Sequence, residues 1–143
     1  MAPILTILAG LLFMPQPETV TVRGKVVMLT EALGSKDVKA DAEPIATQVA
    51  LVTADGQIVP LISDEASRAL FRDKRLQNRE TEIVGRKHAG LPYLQVGSFK
   101  VREDGKLQTP EYYCGVCAIR VRYDQDCPCC QGPLVLRMRP QGD

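Results

Sequence analysis

Short apolar and alternating runs, broken by polar stretches that hold Gly and Pro, mark this chain as mainly β. Residues 19–29 (TVTVRGKVVML) are rich in β-branched side chains and partly alternating, which predicts a first strand. Residues 34–44 are polar and read as a loop. Apolar runs at 45–54 and 57–62 flank Asp55-Gly56, a dipeptide that predicts a hairpin turn with φ > 0 at both central residues. Ser63 is placed to cap a helix over residues 64–76. Asp64 and Glu65 would sit at its positive end, and Ala66, Ala69, Leu70 and Leu76 would form its apolar stripe. Residues 80–87 and 93–101 predict two more strands, joined across His88-Ala89-Gly90-Leu91-Pro92. Glu103-Asp104-Gly105-Lys106 reads as a turn.

The order strand, strand, strand, helix, strand, strand resembles that of the OB-fold, a five-stranded Greek-key barrel with a helix between its third and fourth strands. The resemblance spans residues 19–102 and rests on element order, not on a motif. It implies a small five-stranded OB-like barrel with one helix over residues 18–104, serving as a binding or assembly module for another protein or a small ligand.

Residues 1–14 (MAPILTILAGLLFM) change the picture, because none of these side chains is charged. The apolar core at 4–14 is as long as the hydrophobic region of an export signal. It is too short to span a bilayer, which takes about 20 apolar residues. No Lys or Arg precedes it, and no A-x-A site precedes Pro15-Gln16-Pro17. Residues 1–17 are therefore expected to be a signal peptide or apolar N-terminal segment. The protein is expected to be periplasmic or secreted, with no transmembrane span.

Charge is nearly balanced, with 18 basic and 17 acidic residues, which disfavours a general electrostatic trap for nucleic acid or membrane. The run 45–62 holds no aromatic on which a base could stack. Arg68, Arg72, Lys74, Arg75 and Arg79 make the predicted helix and its exit basic, but Asp64, Glu65, Asp73 and Glu80 interleave them. That mixture reads as a solvated face. His88 lies beside a turn without an evident partner. No G-x-S-x-G, P-loop or G-x-G-x-x-G occurs, so the chain is expected not to be an enzyme.

Specific chemistry is confined to the C-terminal part. All five cysteines fall between Cys114 and Cys130, and four of them make C-x2-C…C-x2-C: Cys114, Cys117, Cys127 and Cys130. Two residues between cysteines let a tight turn aim both sulfurs at one point, and two such turns supply a tetrahedral thiolate set. Three readings follow from the residues: a metal knuckle pair, disulfides, or a redox dithiol at Cys114-Cys117. An odd cysteine count strands one thiol in the second. The third lacks the thioredoxin-type βαβ setting. Pro128, Gly115 and Gly132 fall where turns are needed.

The segment YYCGVCAIRVRYDQDCPCCQGPLVL resembles the small heavy-metal-binding domain found beside copper and silver efflux adaptors and metal-transporting ATPases. That family runs Tyr-x-Cys-Pro-Met-His-Pro, then a spacer, then Cys-Pro-x-Cys-Gly-Met-x-Leu. Tyr112 or Tyr113, Cys114, Cys127, Pro128, Cys130 and Leu134 match it, and Cys117 stands where the family has histidine. Gly115-Val116 and Gln131-Gly132 replace its Pro-Met and Gly-Met, so both soft thioether ligands are missing. The resemblance implies metal binding, and the departures move the expected ion from copper towards zinc, with rubredoxin-type iron as the other four-thiolate choice. Residues 110–137 are thus expected to be a zinc-ribbon-like module whose ligands to Zn²⁺ are Cys114, Cys117, Cys127 and Cys130. Cys129 is left over, as a bystander or an alternative to Cys130. Handling of copper, silver or zinc at the cell envelope, and a nucleic-acid module of OB barrel plus zinc ribbon, are the rival functions.

Overall fold

The computed structural model describes residues 14–139. The apolar segment expected to be an export signal therefore lies, for residues 1–13, outside the described residues. Chain order is β1 (Glu18–Met28), α1 (Leu29–Gly34), α2 (Ala42–Ile45), β2 (Val49–Thr53), β3 (Ile58–Pro60), α3 (Arg68–Arg72), a 3-10 turn at Lys74–Leu76, β4 (Glu80–Lys87), β5 (Leu94–Glu103), β6 (Lys106–Tyr113), β7 (Arg120–Val121) and β8 (Val135–Arg139). The strands form a curled antiparallel sheet in the order β3-β2-β1-β4-β5-β6-β7, with β8 also on β6. One parallel bridge, Leu61 to Leu94, brings the chain just after β3 back to the start of β5.

The period-2 pattern of the sequence explains which face is buried. On β1, Val20, Val22 and Val26 turn inward while Thr21, Arg23 and Lys25 face water. β1 is an interior strand of the curl, pairing β2 on one edge (Val26 opposite Leu51) and β4 on the other (Val22 opposite Ile83). Gly24 allows β1 and β2 to close, since a Cβ there would lie 2.3 Å from the Val52 carbonyl oxygen. Val26, Val49, Leu51, Leu61, Leu70, Leu76, Ile83, Leu94, Val96 and Val101 make one core, with α3 and the 3-10 turn plugging it through Leu70 and Leu76. Among the described residues no helix is long and apolar enough to cross a membrane.

Several expectations need correction. Among the described residues eight strands are present, not five. β6 and β8 were not expected; their half-polar, Pro- and Arg-containing sequences become strands because they pair with each other over Thr109–Tyr113 and Val135–Arg139. The single helix at 64–76 is a five-residue α3 and a separate 3-10 turn, broken at Asp73, which is extended (φ −106°, ψ 104°). Ser63 does not cap it; Ser67 precedes α3 and uses its hydroxyl to hold the Ile62 carbonyl and the Asp64 N–H. The expected loop at 34–44 contains the start of α2, and β2 begins at Val49 because Ala42–Ile45 is helical.

Both Asp-Gly dipeptides lie in turns, but the one at 55–56 is not of the expected type. At 55–56 only Gly56 has φ > 0 (81°), and the Gly56 N–H donates to the Thr53 carbonyl, which makes a longer loop than a two-residue turn. Asp104 and Gly105 have φ of 48° and 75°, and they join β5 to β6 with Glu103 opposite Lys106, a two-residue hairpin.

Candidate metal centre

β6 delivers the first cysteine. Tyr112 and Tyr113 pair with Val121 and Arg120 on one edge and with Leu136 and Val135 on the other, so the end of β6 is the middle of a three-stranded ribbon. Tyr112 is fully buried and belongs to the same core as the barrel residues. Its hydroxyl donates to Asp73 Oδ2 at 2.6 Å, and Asp73 also accepts from the Arg75 guanidinium at 2.7 Å and from the Arg75 N–H at 3.0 Å. Burial pushes the Asp73 carboxyl up, but these donors outweigh it and hold the group below its ordinary value. Burial and the neighbouring carboxylate push the Tyr112 phenol far up, so it stays protonated as the donor. Arg68 of α3 adds a second fastening, its guanidinium 4.5 Å above the Tyr123 ring.

The two C-x2-C turns have the same construction. In the first, the Ala118 N–H donates to the Cys114 carbonyl at 2.9 Å and the Cys114 N–H to the Ile119 carbonyl at 3.0 Å. In the second, the Gln131 N–H donates to the Cys127 carbonyl at 2.8 Å and the Cys127 N–H to the Gly132 carbonyl at 2.8 Å. The residue after each second cysteine is left-handed, Ala118 at φ 55° and Gln131 at φ 62°. The glycines expected to carry the turns, Gly115 and Gly132, are not the left-handed positions.

These turns bring Cys114, Cys117, Cys127 and Cys130 together with all four sulfurs within 4.8 Å of one another. Cys114 and Cys130 Sγ are 3.6 Å apart. A tetrahedral zinc site with Zn–S near 2.3 Å has sulfur–sulfur edges of about 3.8 Å, so the set has the size of a thiolate tetrahedron. All five cysteines are free, and the separation of Cys114 and Cys130 is far beyond a bonded S–S distance of about 2.05 Å. Backbone N–H groups aim at the sulfurs: Cys117 N donates to Cys114 Sγ at 3.4 Å. The N–H groups of Cys130 and Cys129 bring the Cys127 thiol down to about 7. Cys129, burial and the other thiols around it push Cys117 well up. At Cys130 the Gly132 N–H favours the thiolate, but Cys114 and Cys127 outweigh it and raise the group. Cys114 and Cys127 are buried, Cys117 is half-buried and Cys130 is exposed, so the cluster has an inner and an outer side.

His88 is not part of this cluster. It does have a partner: its Nε2 lies 2.8 Å from Gln95 Oε1, and Gln95 Nε2 donates to Asp64 Oδ2 at 3.3 Å. Much of the basic run is occupied internally, Arg75 with Asp73, Arg79 with Glu103, and Arg68 with Tyr123. Sequence reasoning missed the Asp73–Tyr112 link; the signal it offered was an acid at the helix break and a Tyr just ahead of the first cysteine. Comparison with protein-family models, with curated proteins and with solved structures gives no match.

Proposed function

We propose that the four-cysteine cluster holds one Zn²⁺ as a structural clip, and that the barrel it is fastened to is a binding or assembly module of an exported, non-enzymatic protein. The observation that carries the metal is the convergence of four sulfurs from two identical turns, with backbone N–H groups favouring the thiolate form at Cys127. A bound zinc would supply charge neutralisation and cross-linking of the two turns. A closed four-thiolate set leaves no coordination position for a water, which supports a structural over a hydrolytic role. Support for the OB reading of residues 18–104 comes from the order β3-β2-β1-β4-β5, the helical segment between β3 and β4, and the Leu61–Leu94 contact, as in a partly open five-stranded barrel. Export rests on the apolar N-terminal sequence alone.

One observation favours a second reading. Cys130 is exposed and Cys117 half-exposed, so the outer side of the cluster is open to a competing thiol, as metal handling at the envelope would need. Metal competition separates the two. A structural clip predicts tight zinc whose removal melts the ribbon, read as loss of dispersed amide resonances for residues 112–139. A handling site predicts Cu(I) preference and fast exchange with the ribbon still folded. Mass spectrometry of the mature N-terminus tests export, with an intact Met1 as the contrary result.

A further inference from the structure

Between the parallel bridge at Leu94 and the ladder to β6 that starts at Val101, β5 has a strand partner, β4, on one edge only. Its other edge, from Gln95 to Lys100, is unpaired among the described residues. Two adjoining cavities follow that edge. One of about 550 Å³ lies beside Gln95, Val96 and Gly97, and one of about 310 Å³ beside Gly97, Ser98 and Phe99; they share Ala66, Gly97 and Arg122. The groove opens because β6 leaves β5 after Gln108. Pro110 has no N–H to continue a ladder, and Thr109–Tyr113 pair with β8 instead.

The walls are arginine-rich. Arg86, Arg120, Arg122 and Arg139 line the groove, and Arg86, Arg122 and Arg139 form no ion pair among the described residues. Of the three acids there, Glu111 is taken by Arg137 at 2.7 Å, and Asp64 accepts from the Ser67 N–H and from Gln95. Asp64 and Glu65, at the Arg86 end, have no cationic partner among the described residues, whereas at the other end Arg120, Arg122 and Arg139 face only the already paired Glu111. We infer that this seam takes an extended segment of a partner protein as an added strand on β5, with carboxylate side chains at alternate positions. The inference rests on the reading of the barrel as a protein-binding module and names its partner chemistry.

Three features select that partner. An unpaired strand edge is a template for another backbone, and six residues of it accept an extended peptide of about 20 Å. Arg120 in β7 and Arg122 just beyond it both line the groove, two residues apart, which is the sequence spacing of same-face side chains on an added strand. Guanidinium forks match carboxylates in two-point contact. A single-stranded nucleic acid is the poorer fit, because among the described residues half-buried Phe99 is the only aromatic lining the groove, and bases need stacking platforms.

The test uses the zinc-loaded full chain, ¹⁵N-labelled, titrated with acetyl-(Thr-Glu)4-amide, with acetyl-(Thr-Lys)4-amide and with a twelve-nucleotide oligothymidine. The expected result is saturable binding of the glutamate peptide alone, with slowed hydrogen exchange at residues 95–100 and shifts confined to these and the groove residues around Arg86, residues 120–122 and Arg139. Arg122→Gln and Arg86→Gln, both exposed and free of internal partners, should each weaken it about fivefold to tenfold; Arg23→Gln, on β1 outside the groove, should leave it unchanged. Tighter oligothymidine binding, self-association through residues 95–100, equal binding after Arg122→Gln and Arg86→Gln, or no peptide binding to a folded zinc-loaded chain would each overturn the inference. A chain that holds no metal or does not fold would instead count against the zinc-clip reading.

Discussion

At the scale of single residues, the two cysteine turns hold strain that can be relieved. Ala118 and Gln131 sit in the left-handed region, which costs an L-residue about 1–2 kcal/mol relative to glycine's freedom there. Ala118→Gly and Gln131→Gly should each stabilise the folded ribbon by about 0.5–1 kcal/mol after the added unfolded-state entropy is counted, measured by urea unfolding of the zinc-loaded chain. Cys127 makes the pH prediction. Its backbone N–H donors favour the thiolate in the folded turn, about 7 against the ordinary 9.0 for a thiol, and each cysteine must lose its proton to bind a metal. Apparent zinc affinity, measured by competition with a chelator, should therefore fall as the pH drops from about 8 to about 6; an affinity unchanged over that range would refute thiolate ligation.

At the scale of elements, β6 ties the barrel to the ribbon through the Tyr112 hydroxyl and Asp73. Tyr112→Phe keeps the ring in the core but leaves Asp73 without one of its donors, and should cost about 1–3 kcal/mol in chemical denaturation. Asp73 is held below its ordinary 3.8, so its stabilising contribution is present above that value and fades as the pH drops through the lowered one. The loss from Tyr112→Phe should shrink accordingly in strong acid. At the β5–β6 turn, Gly105→Ala forces a Cβ at φ 75° and should cost about 1 kcal/mol or more. The first five strands were legible because β-branched alternation and Asp-Gly turns are local signals. β6 and β8 were not, since Pro110 and the Arg137–Arg139 stretch become strand only by pairing across some 25 residues of sequence, as Pro110 does with Met138. The helix break was likewise hidden: Asp73 leaves the helical region where its side chain caps the Arg75 N–H and receives Tyr112, a partner 39 residues away.

At the scale of the whole molecule, Tyr112 is the one ribbon side chain in a core otherwise built from residues 26–101, while Val121, Tyr123, Leu134, Leu136 and Met138 are only partly buried against it. On the zinc-clip proposal, so small a module would gain most of its folding free energy from the metal. Chelation should then melt residues 112–139 first, while β1 to β5 keep their amide protection. The convergence of the four cysteines could be read directly from C-x2-C spacing, because the motif carries its own turn geometry. The groove along β5 could not, because it arises from where β6 departs and from which guanidiniums lack internal partners. The central claim is that Cys114, Cys117, Cys127 and Cys130 are metal ligands. Elemental analysis of the purified full chain, paired with a thiol count after denaturation in chelator, tests it most directly. One zinc per chain with all five thiols free is the predicted result; no metal with the cysteines joined in disulfides would contradict it.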